Sequence, residues 1–239
     1  TGMPSKSSPG LRGFTPATFS MRRPLDWGCL ARLADTLRAH RVQVVHSHEF
    51  TMAVYGAAAA RRIGARHVIT MHGGRYYAER WRRRAALRWA AARSAALTAV
   101  SGATAADLAR TLGLAPGAVR IVPNGIEMPR GERARVRREL GLRDDELLVV
   151  AIGNLYAVKG HVILLQALAS LALGGAGPPW RLAIAGRGEE EAALRAFARD
   201  AGIESRVQRR GVRSYGADIL AAGDIFWMPS RSEVLPLAL

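Results

Sequence analysis

Short apolar runs alternate with longer amphipathic stretches along most of the chain. The first series predicts strands at 42–45, 67–71, 97–100 and 119–122 and helices at 51–63, 77–95 and 104–112. The second predicts strands at 147–152, 182–185, 207–212 and 225–228 and helices at 161–173, 189–201 and 216–222. Such alternation is typical of parallel sheets that helices cover on both faces. We therefore expect an α/β fold.

A polar segment at 128–135 separates the two series and contains Pro129 and Gly131. Its composition predicts a linker. Eight βα units, the number in a single barrel, do not fit into this length. We therefore expect two α/β domains, at 1–128 and 129–239.

The composition is that of an ordinary globular chain, with 239 residues of which 49% are hydrophobic and 23% charged. A single cysteine, Cys29, excludes a disulfide-stapled module and fits a reducing cytosol. The 35 basic residues against 19 acidic ones give a net charge of +16, and only Lys6 and Lys159 are lysines. Codon bias toward arginine and alanine explains such an excess. The functional alternative is a basic surface that meets phosphates or an anionic membrane.

The longest uncharged stretch, 162–180, does not predict a membrane span. Its second half is Gly174-Gly175-Ala176-Gly177-Pro178-Pro179, which cannot continue a helix. We expect a core helix followed by a loop.

A glycine-bounded loop, 153–160, joins a buried strand to a helix. Backbone N–H groups of such a loop, with the helix N-terminus behind them, can bind phosphate, and Lys159 would supply a positive charge. It is not a P-loop, because no Gly-Lys-Ser/Thr ends it. A plain strand-to-helix turn is the alternative. The presence of Lys159, one of only two lysines in an arginine-rich sequence, argues against it.

Two further loops follow strands in this half of the chain. Gly186-Arg187-Gly188 lacks the third glycine of a dinucleotide fingerprint, and the three glutamates after it would repel a pyrophosphate at that helix start. A tight turn and a close approach of backbone to ligand stay equally open there. The second loop, 229–233, follows the last predicted strand, and its Glu233 could accept hydrogen bonds from sugar hydroxyls.

Three histidines end the first two strands. His46 and His48 are two residues apart, so they point to the same face of a strand. With Glu49 and His72 they suggest a metal site of the hydrolase type, but a full ligand set would need several further carboxylates, which disfavours it. His72 lies at the carboxyl end of its strand, where open α/β sheets bind ligands, and is the stronger candidate.

The segment 75–93 is rich in arginine and aromatic residues. At helical spacing one stripe forms, consisting of Tyr77, Trp81, Ala85, Trp89 and Ala92. Such a stripe usually packs in a core while the arginines stay solvated. The alternative is a surface that contacts anionic lipid headgroups.

In order, these segments resemble the nucleotide-sugar glycosyltransferases of family 4, which have the GT-B fold. The matching pieces are 44–48, 70–73, 100–101, 121–126, 153–160, 185–188, 222–224 and 229–233. The resemblance implies two Rossmann-like domains with parallel sheets, both incomplete here: an acceptor-side domain that lacks its first βα unit and a truncated nucleotide-sugar domain. It implies a retaining transfer of a sugar from a UDP-, GDP- or ADP-sugar to a hydroxyl of a sugar, glycan, lipid or small molecule. It implies no cofactor and no bound metal.

The resemblance also implies roles for particular residues. Lys159 would contact the donor diphosphate, Glu233 would open a Glu-x7-Glu signature that holds the donor sugar, and His72 would lie near the transferred sugar. These three are the implied catalytic set. The implied donor-binding residues are Gly153, Asn154, Lys159, Gly186, Gly188, Val212, Arg213 and Glu233. The implied acceptor-side residues are His46, His48 and Gly73.

Two departures from the family pattern matter. Asn154 stands where the family has an arginine, so Lys159 acts alone or another cation replaces it. The second glutamate of the signature would fall two positions beyond Leu239, so we expect this polypeptide to be a fragment with weak or no activity by itself.

The alternatives come from other classes of protein. A basic nucleic-acid-binding protein would cluster its arginines on one face, whereas here they are spread over helices and loops, so no nucleic-acid partner is expected. A metal-dependent hydrolase using His46 and His48 would bind zinc tightly. A glycosidase would need two carboxylates flanking one bond, and only Glu233 is well placed. We expect a cytoplasmic protein, peripheral on the inner face of the cell membrane if 75–93 binds lipid.

Overall fold

The computed structural model of the protein describes residues 16–23, 25–73, 76–125, 131–175, 177–210 and 216–233. The chain divides into two compact units, residues 1–125 and 126–239. Within the described residues each unit is built on a four-stranded sheet whose paired strands are all parallel.

The first unit alternates helices and strands. In chain order its described elements are α1 (Trp27–Ala39), β1 (Val44–His48), α2 (Glu49–Ile63), β2 (Arg66–Met71), α3 (Trp81–Ala91), β3 (Ala96–Ala99), α4 (Gly102–Leu112) and β4 (Arg120–Ile121). The strand order is β1-β2-β3-β4, with His48 opposite Thr70 and Met71 opposite Ala99. Parallel neighbours need a crossover between each pair, which α2, α3 and α4 supply. The carboxyl ends of all four strands therefore lie at one edge.

Apolar side chains of the helices cover this sheet. Ile69 and Met71 of β2 share one cluster with Leu87 of α3 and Leu108 of α4, and all four side chains are fully buried. Burial of a side chain of this size contributes about 1.5–3 kcal/mol. A second cluster, which includes Cys29, packs α1 against α2.

The second unit repeats this architecture. Its described elements are α5 (Arg133–Glu139), β5 (Leu147–Ile152), α6 (His161–Gly174), β6 (Trp180–Ala185), α7 (Glu191–Asp200), β7 (Val207–Arg210), α8 (Gly216–Ala222) and β8 (Ile225–Phe226), with 3-10 turns at Ala157–Lys159 and Glu204–Arg206. The strand order is β7-β6-β5-β8. Alternate residues of β5 enter different clusters, Val149 on the side of α6 and α7 and Leu148 on the side of α5 and α8. Both faces of the sheet are covered, and the predicted α/β fold class is confirmed.

Part of the predicted linker is helical. The segment 128–135 was predicted to be a linker, but α5 begins at Arg133. Contacts with residues far along the chain hold this helix. Arg137 Nη1 lies 2.9 Å from Asp224 Oδ2, and Arg133 binds the same carboxylate. Arg133 Nη1 also donates to the Gly223 carbonyl at 2.8 Å. Val136 is buried against the sheet. These partners lie about 90 residues further along the chain, where periodicity cannot reveal them.

Asp224 is the centre of this interaction. Its Oδ2 also accepts from the backbone N–H of Leu148 at 2.7 Å, at the start of β5. Partial burial raises the pKa of Asp224, but the hydrogen bonds from Leu148, Arg133 and Arg137 outweigh it and lower the pKa to about 2. The carboxylate thus ties α5, β5 and the α8–β8 turn together.

The predicted helix 77–95 is shorter in the structure. α3 runs from Trp81 to Ala91, and its buried residues are Leu87 and Ala90. Tyr77 is buried, but from the turn that precedes the helix. The stripe is therefore divided: Tyr77 and Trp89 pack in or against the first core cluster, whereas Trp81 is 66% exposed.

Candidate functional site

Three loops of the second unit converge at the carboxyl ends of adjacent strands. They follow β5, β6 and β8, which are neighbours in the sheet. The loop after β5 is held on both sides, because Leu155 N donates to the Arg187 carbonyl at 2.9 Å and Arg231 N donates to the Val158 carbonyl at 2.9 Å. These backbone bonds make the three loops one surface, which we call the loop cradle (153–160, 186–188 and 229–233).

Glycines allow the loops of the cradle to approach so closely. A Cβ on Gly186 would lie 2.9 Å from the carbonyl carbon of Gly153, and one on Gly188 would lie 2.5 Å from that of Leu155. Gly160 has φ +66°, and a Cβ there would lie 3.1 Å from the carbonyl carbon of Pro229. A side chain at any of these positions would push the loops apart. The glycines predicted at the donor site are thus brought together in space.

Lys159 and Glu233 meet within this cradle. Lys159 ends the 3-10 turn that follows β5, and its Nζ lies 2.5 Å from Glu233 Oε1. The two side chains are 26% and 22% exposed, so both keep a face toward solvent. Burial raises the pKa of Glu233, but hydrogen bonds from Lys159 and Ser230 outweigh it and lower the pKa. The carboxylate is therefore ionised at neutral pH, and the pair is an ammonium beside a carboxylate.

The N-terminus of α6 comes directly after the loop that carries Lys159. α6 begins at His161, directly after Lys159 and the left-handed Gly160, and no side chain of the described residues caps it. Uncapped N–H groups at a helix start favour an anion. A cation and a helix N-terminus thus follow each other within three residues.

Sequence reasoning did not single out His161, whose ring is buried behind the loop cradle. Its ring is only 2% exposed and lies behind the loop, with Nε2 3.9 Å from the position of a Cβ on Gly153. In the described part of the chain neither ring nitrogen has a hydrogen-bond partner, nor does Oε2 of the nearby Glu190. Burial lowers the pKa of His161, opposed by the backbone of Asn154 and by Glu190. The signal was available in the sequence, because His161 opens a helix that contains no Asp, Glu, Lys or Arg.

The histidines of the first unit also come together. His48 Nδ1 lies 2.8 Å from His72 Nε2, and the two rings stack with centroids 5.1 Å apart. The His46 ring is 4.4 Å from that of His48, and its Nε2 lies 2.7 Å from Thr70 Oγ1. All three therefore lie at the carboxyl ends of β1 and β2, as their spacing predicts.

The backbone around these histidines is held in unusual conformations. Glu49 has φ +63°, which is uncommon for a residue with a side chain, and its Oε1 accepts from the backbone N–H of His72 at 2.7 Å. Gly73, the next residue, has φ +113°. Strain of this kind persists where surrounding contacts fix it. Glu49 thus acts on His72 through its backbone.

The predicted site residues are distributed over both units. Lys159 and Glu233 meet in the second unit, whereas His72 belongs to the first. Val212 and Arg213 lie outside the described residues. Among the residues that are described, no group of three or more His, Cys, Asp and Glu is arranged to hold a metal ion.

The surface around α3 combines arginines with exposed aromatic rings. The guanidinium of Arg83 lies 3.4 Å from the centroid of the Tyr76 ring, and that of Arg82 lies 5.5 Å from the Trp81 ring. Arg80, like Trp81, is exposed. We call Tyr76, Arg80, Trp81, Arg82 and Arg83 the basic aromatic patch. Within the described residues, no helix is long and apolar enough to cross a membrane.

Two family models together span nearly the whole chain. The model described as Glycosyltransferase Family 4 matches residues 7–130, and the model described as Glycosyl transferases group 1 matches residues 132–239.

Similar proteins are longer than this chain. The 2-deoxystreptamine glucosyltransferase of Streptomyces kanamyceticus is 28% identical over 215 residues, which are 82% of this chain and 55% of the relative. The Escherichia coli UDP-Gal:alpha-D-GlcNAc-diphosphoundecaprenol alpha-1,3-galactosyltransferase is 24% identical over 90% of this chain and 58% of its own length. Anabaena Alr3699/HepE in complex with UDP superposes with a TM-score of 0.72 and 21% identity, over 90% of this chain and 60% of that structure. The chain thus spans a little over half the length of each of these two curated relatives.

Proposed function

Because this chain belongs to glycosyltransferase family 4 and has its GT-B fold, we propose that it serves the transfer of a sugar from a nucleotide-sugar donor to a hydroxyl of an acceptor, with retention at the anomeric carbon. The observation that carries the proposal is the Lys159–Glu233 pair in the loop cradle. The donor-binding residues are proposed to be Gly153, Asn154, Lys159, Gly186, Gly188, Val212, Arg213 and Glu233.

The proposed chemistry is stabilisation of the leaving diphosphate. When the bond between sugar and phosphate breaks, negative charge grows on the phosphate oxygens. The ammonium of Lys159 and the uncapped N–H groups at the start of α6 stabilise that negative charge. Such preorganised groups are the main source of transition-state stabilisation. Asn154 carries no charge, so Lys159 is the cation of this loop. We therefore expect transfer without a bound metal. Glu233 holds Lys159 in place and can accept hydrogen bonds from the donor sugar.

The proposed donor is a UDP-sugar. Among UDP-, GDP- and ADP-sugars, UDP is favoured because the similar Anabaena protein was crystallised with UDP and with UDP-glucose. The acceptor is proposed to be a sugar, glycan or lipid-linked sugar, bound on the side of His46, His48 and Gly73. The name of the Escherichia coli relative, which includes alpha-D-GlcNAc-diphosphoundecaprenol, supports a lipid-linked sugar, and 2-deoxystreptamine in the name of the Streptomyces relative supports a small molecule as a further candidate.

Nucleotide binding to a neutralised cradle tests the proposal. Lys159→Met keeps the length of the side chain and removes its charge, and Lys6→Met, at the only other lysine, is the matched control. Loss of one charge-assisted hydrogen bond, about 1.5–3 kcal/mol, predicts UDP binding weakened about 10- to 150-fold by calorimetry, with the control unchanged. Equal affinity of wild type and Lys159→Met for UDP would contradict the role of Lys159. Failure of wild type to bind UDP, GDP and ADP would contradict the proposed function.

We also propose that the basic aromatic patch rests on an anionic membrane. Tyr76 and Trp81 are 52% and 66% exposed, and amphipathic rings of this kind sit at the lipid headgroups. Arg80 and Arg82 lie beside them, and each basic residue near such a surface contributes about 1 kcal/mol. The protein would then be peripheral on the inner face of the cell membrane, where a lipid-linked acceptor is available.

Vesicle co-sedimentation tests this placement. Wild type is expected to sediment with phosphatidylglycerol vesicles and not with phosphatidylcholine vesicles, and added salt should release it. Arg80→Ala/Arg82→Ala should weaken binding about tenfold or more, whereas Arg61→Ala/Arg62→Ala, two exposed arginines at the end of α2, should not. Equal loss in both double variants would mean that net charge alone acts, and the patch would be refuted.

A further inference from the structure

His161 is buried at the start of α6 without a hydrogen-bond partner. Its ring is 2% exposed, and within the described residues neither Nδ1 nor Nε2 has a partner. His67 has the same exposure, but each of its ring nitrogens meets a serine hydroxyl. A buried polar atom without a partner destabilises the folded state, so native structures keep few of them. Two such atoms on one ring, next to the loop that carries Lys159, therefore indicate a function beyond packing.

The groups that act on this ring are hydrogen-bond acceptors. Nε2 lies 3.9 Å from the position of a Cβ on Gly153, and the backbone of Asn154 and of Gly153 favours the protonated ring. Backbone favours a cation through its carbonyl oxygens. Glu190 acts in the same sense, and its buried Oε2 also lacks a partner among the residues described. A neutral imidazole offers one N–H to such acceptors, whereas an imidazolium offers two. The surroundings therefore match the charged ring.

The turn that carries Glu190 is fixed to the same loop. Glu190 N donates to the Leu155 carbonyl at 3.0 Å, and Leu155 N donates to the Arg187 carbonyl at 2.9 Å. These bonds hold the start of α7 against the loop that follows β5. The acceptors for a charged ring are therefore in place before a ligand binds.

Two influences keep the ring neutral in the absence of a ligand. Burial lowers the pKa of His161, and the ammonium of Lys159, which belongs to the 3-10 turn, lowers it further. Glu233, from the loop after β8, pairs with that ammonium. A diphosphate at the start of α6 would bring negative charge beside Lys159. That charge would oppose the effect of the ammonium on the ring and favour protonation.

We propose that His161 is a positioning residue that binds a second proton, taken from solvent, when the donor diphosphate occupies the start of α6. The imidazolium then donates from both nitrogens, to Glu190 and to the loop backbone. It also adds a positive charge behind a loop in which Asn154 carries none. The proposal deepens the proposed function and rests on it for the identity of the ligand as a diphosphate.

Calorimetry in buffers of different ionisation enthalpy measures this proton. UDP-, GDP- and ADP-glucose are the probes, because their diphosphate carries no group that titrates near neutral pH. If binding restores the pKa of His161 to the ordinary 6.5, wild type should take up about half a proton more per ligand at pH 6.5 than His161→Gln. His67→Gln removes a histidine of equal burial in the first unit. It is the control and should take up as many protons as wild type.

The affinity should depend on pH in the same sense. Because the complex binds more protons than the free protein, wild type should bind the nucleotide sugar about twofold more tightly at pH 6.5 than at pH 8, relative to His161→Gln. Glu190→Gln should lower the proton uptake, because the charged acceptor is lost.

The ring nitrogens of His161 report the proton directly in the unmutated protein. In wild type labelled with 15N-histidine at pH 6.5, both His161 nitrogens should move toward the shift of an imidazolium when the nucleotide sugar is added. The signals are assigned by their absence from His161→Gln.

The outcomes separate this inference from the proposed function. Equal proton uptake by wild type and His161→Gln, or unchanged His161 nitrogens in a protein that binds a nucleotide sugar, would overturn the inference and leave the proposed function standing. Failure of wild type to bind any of the three nucleotide sugars would contradict the proposed function and the inference with it.

Discussion

His67 should make the stability of this protein depend on pH between about 7 and 4. The ring is 2% exposed and lies between two serines, with Nδ1 2.7 Å from Ser94 Oγ and Nε2 2.9 Å from Ser47 Oγ. Ser94 Oγ donates to the Ala90 carbonyl at 2.7 Å, so it must accept from His67 Nδ1. Ser47 then donates to Nε2. The fold thus satisfies the neutral ring, and a second proton would displace the hydrogen bond from Ser47.

The size of the effect follows from the pKa. Burial, with a smaller contribution from His46, lowers the pKa of His67 from 6.5 to about 4. The folded pKa lies below the unfolded one, so the unfolded chain binds more protons as the pH falls, and stability is lost on the way down. For this shift the free energy of unfolding should decrease by about 2 kcal/mol from pH 7 to pH 5, and by about 3 kcal/mol at pH 4.

Urea unfolding at several pH values measures this loss. Wild type, His67→Gln and His40→Gln should be compared at pH 8, 7, 6 and 5. His67→Gln cannot titrate, so its stability relative to wild type should improve by about 2 kcal/mol between pH 7 and pH 5. His40→Gln, which removes an exposed histidine at the end of α1, is the matched control. Carboxylates such as Asp224 titrate in all three proteins and cancel. Parallel curves for wild type and His67→Gln would refute the reasoning.

Two further substitutions test the second unit. Gly188→Ala should destabilise the protein by about 1–3 kcal/mol and abolish UDP binding, because the new Cβ would lie 2.5 Å from the Leu155 carbonyl carbon. Gly174→Ala, where nothing lies within 4 Å, is the control, and equal melting temperatures of the two variants would contradict the packing argument. Asp224→Asn should cost about 2 kcal/mol in urea unfolding, since the neutral amide weakens the bonds to Arg133, Arg137 and Leu148 while partial exposure reduces the loss. The exposed Asp145→Asn should leave stability unchanged, and a similar loss there would show that surface charge, not the Asp224 interaction, is responsible.

Elements with a strong local signal were predictable from the sequence. β5 was expected at 147–152 and lies there, because an uninterrupted apolar run bounded by polar residues needs both faces covered. The start of α6 follows equally from the glycine before His161. Lys159 and Glu233, 74 residues apart, were both expected at the donor site, because both follow strands of the predicted parallel sheet and the resemblance implies donor contacts for each.

Features that depend on distant contacts were not predictable. α1 was not foreseen, although Asp26 caps it by accepting from Cys29 N, because its buried face packs against α2, a contact that the local sequence does not reveal. α5 was assigned in part to a linker, because Arg133 and Arg137 gain their carboxylate partner only when Asp224 folds beside them. The hydrogen bonds that hold the His46 ring run to Thr70 and from there to Thr98, which lie on two other strands. No spacing in the sequence reveals these contacts.

The close contacts between glycines and main-chain atoms in the loop cradle indicate how proteins of this family could be re-engineered. Gly186 and Gly188 lie directly against the main chain of Gly153 and Leu155, so a mutational library at Gly186 and Gly188 would mostly sample broken cradles. Tyr156 and Val158 flank the same contacts but project outward, at 44% and 43% exposure. Directed evolution of donor preference would accordingly begin with those two outward side chains and leave the glycine framework fixed.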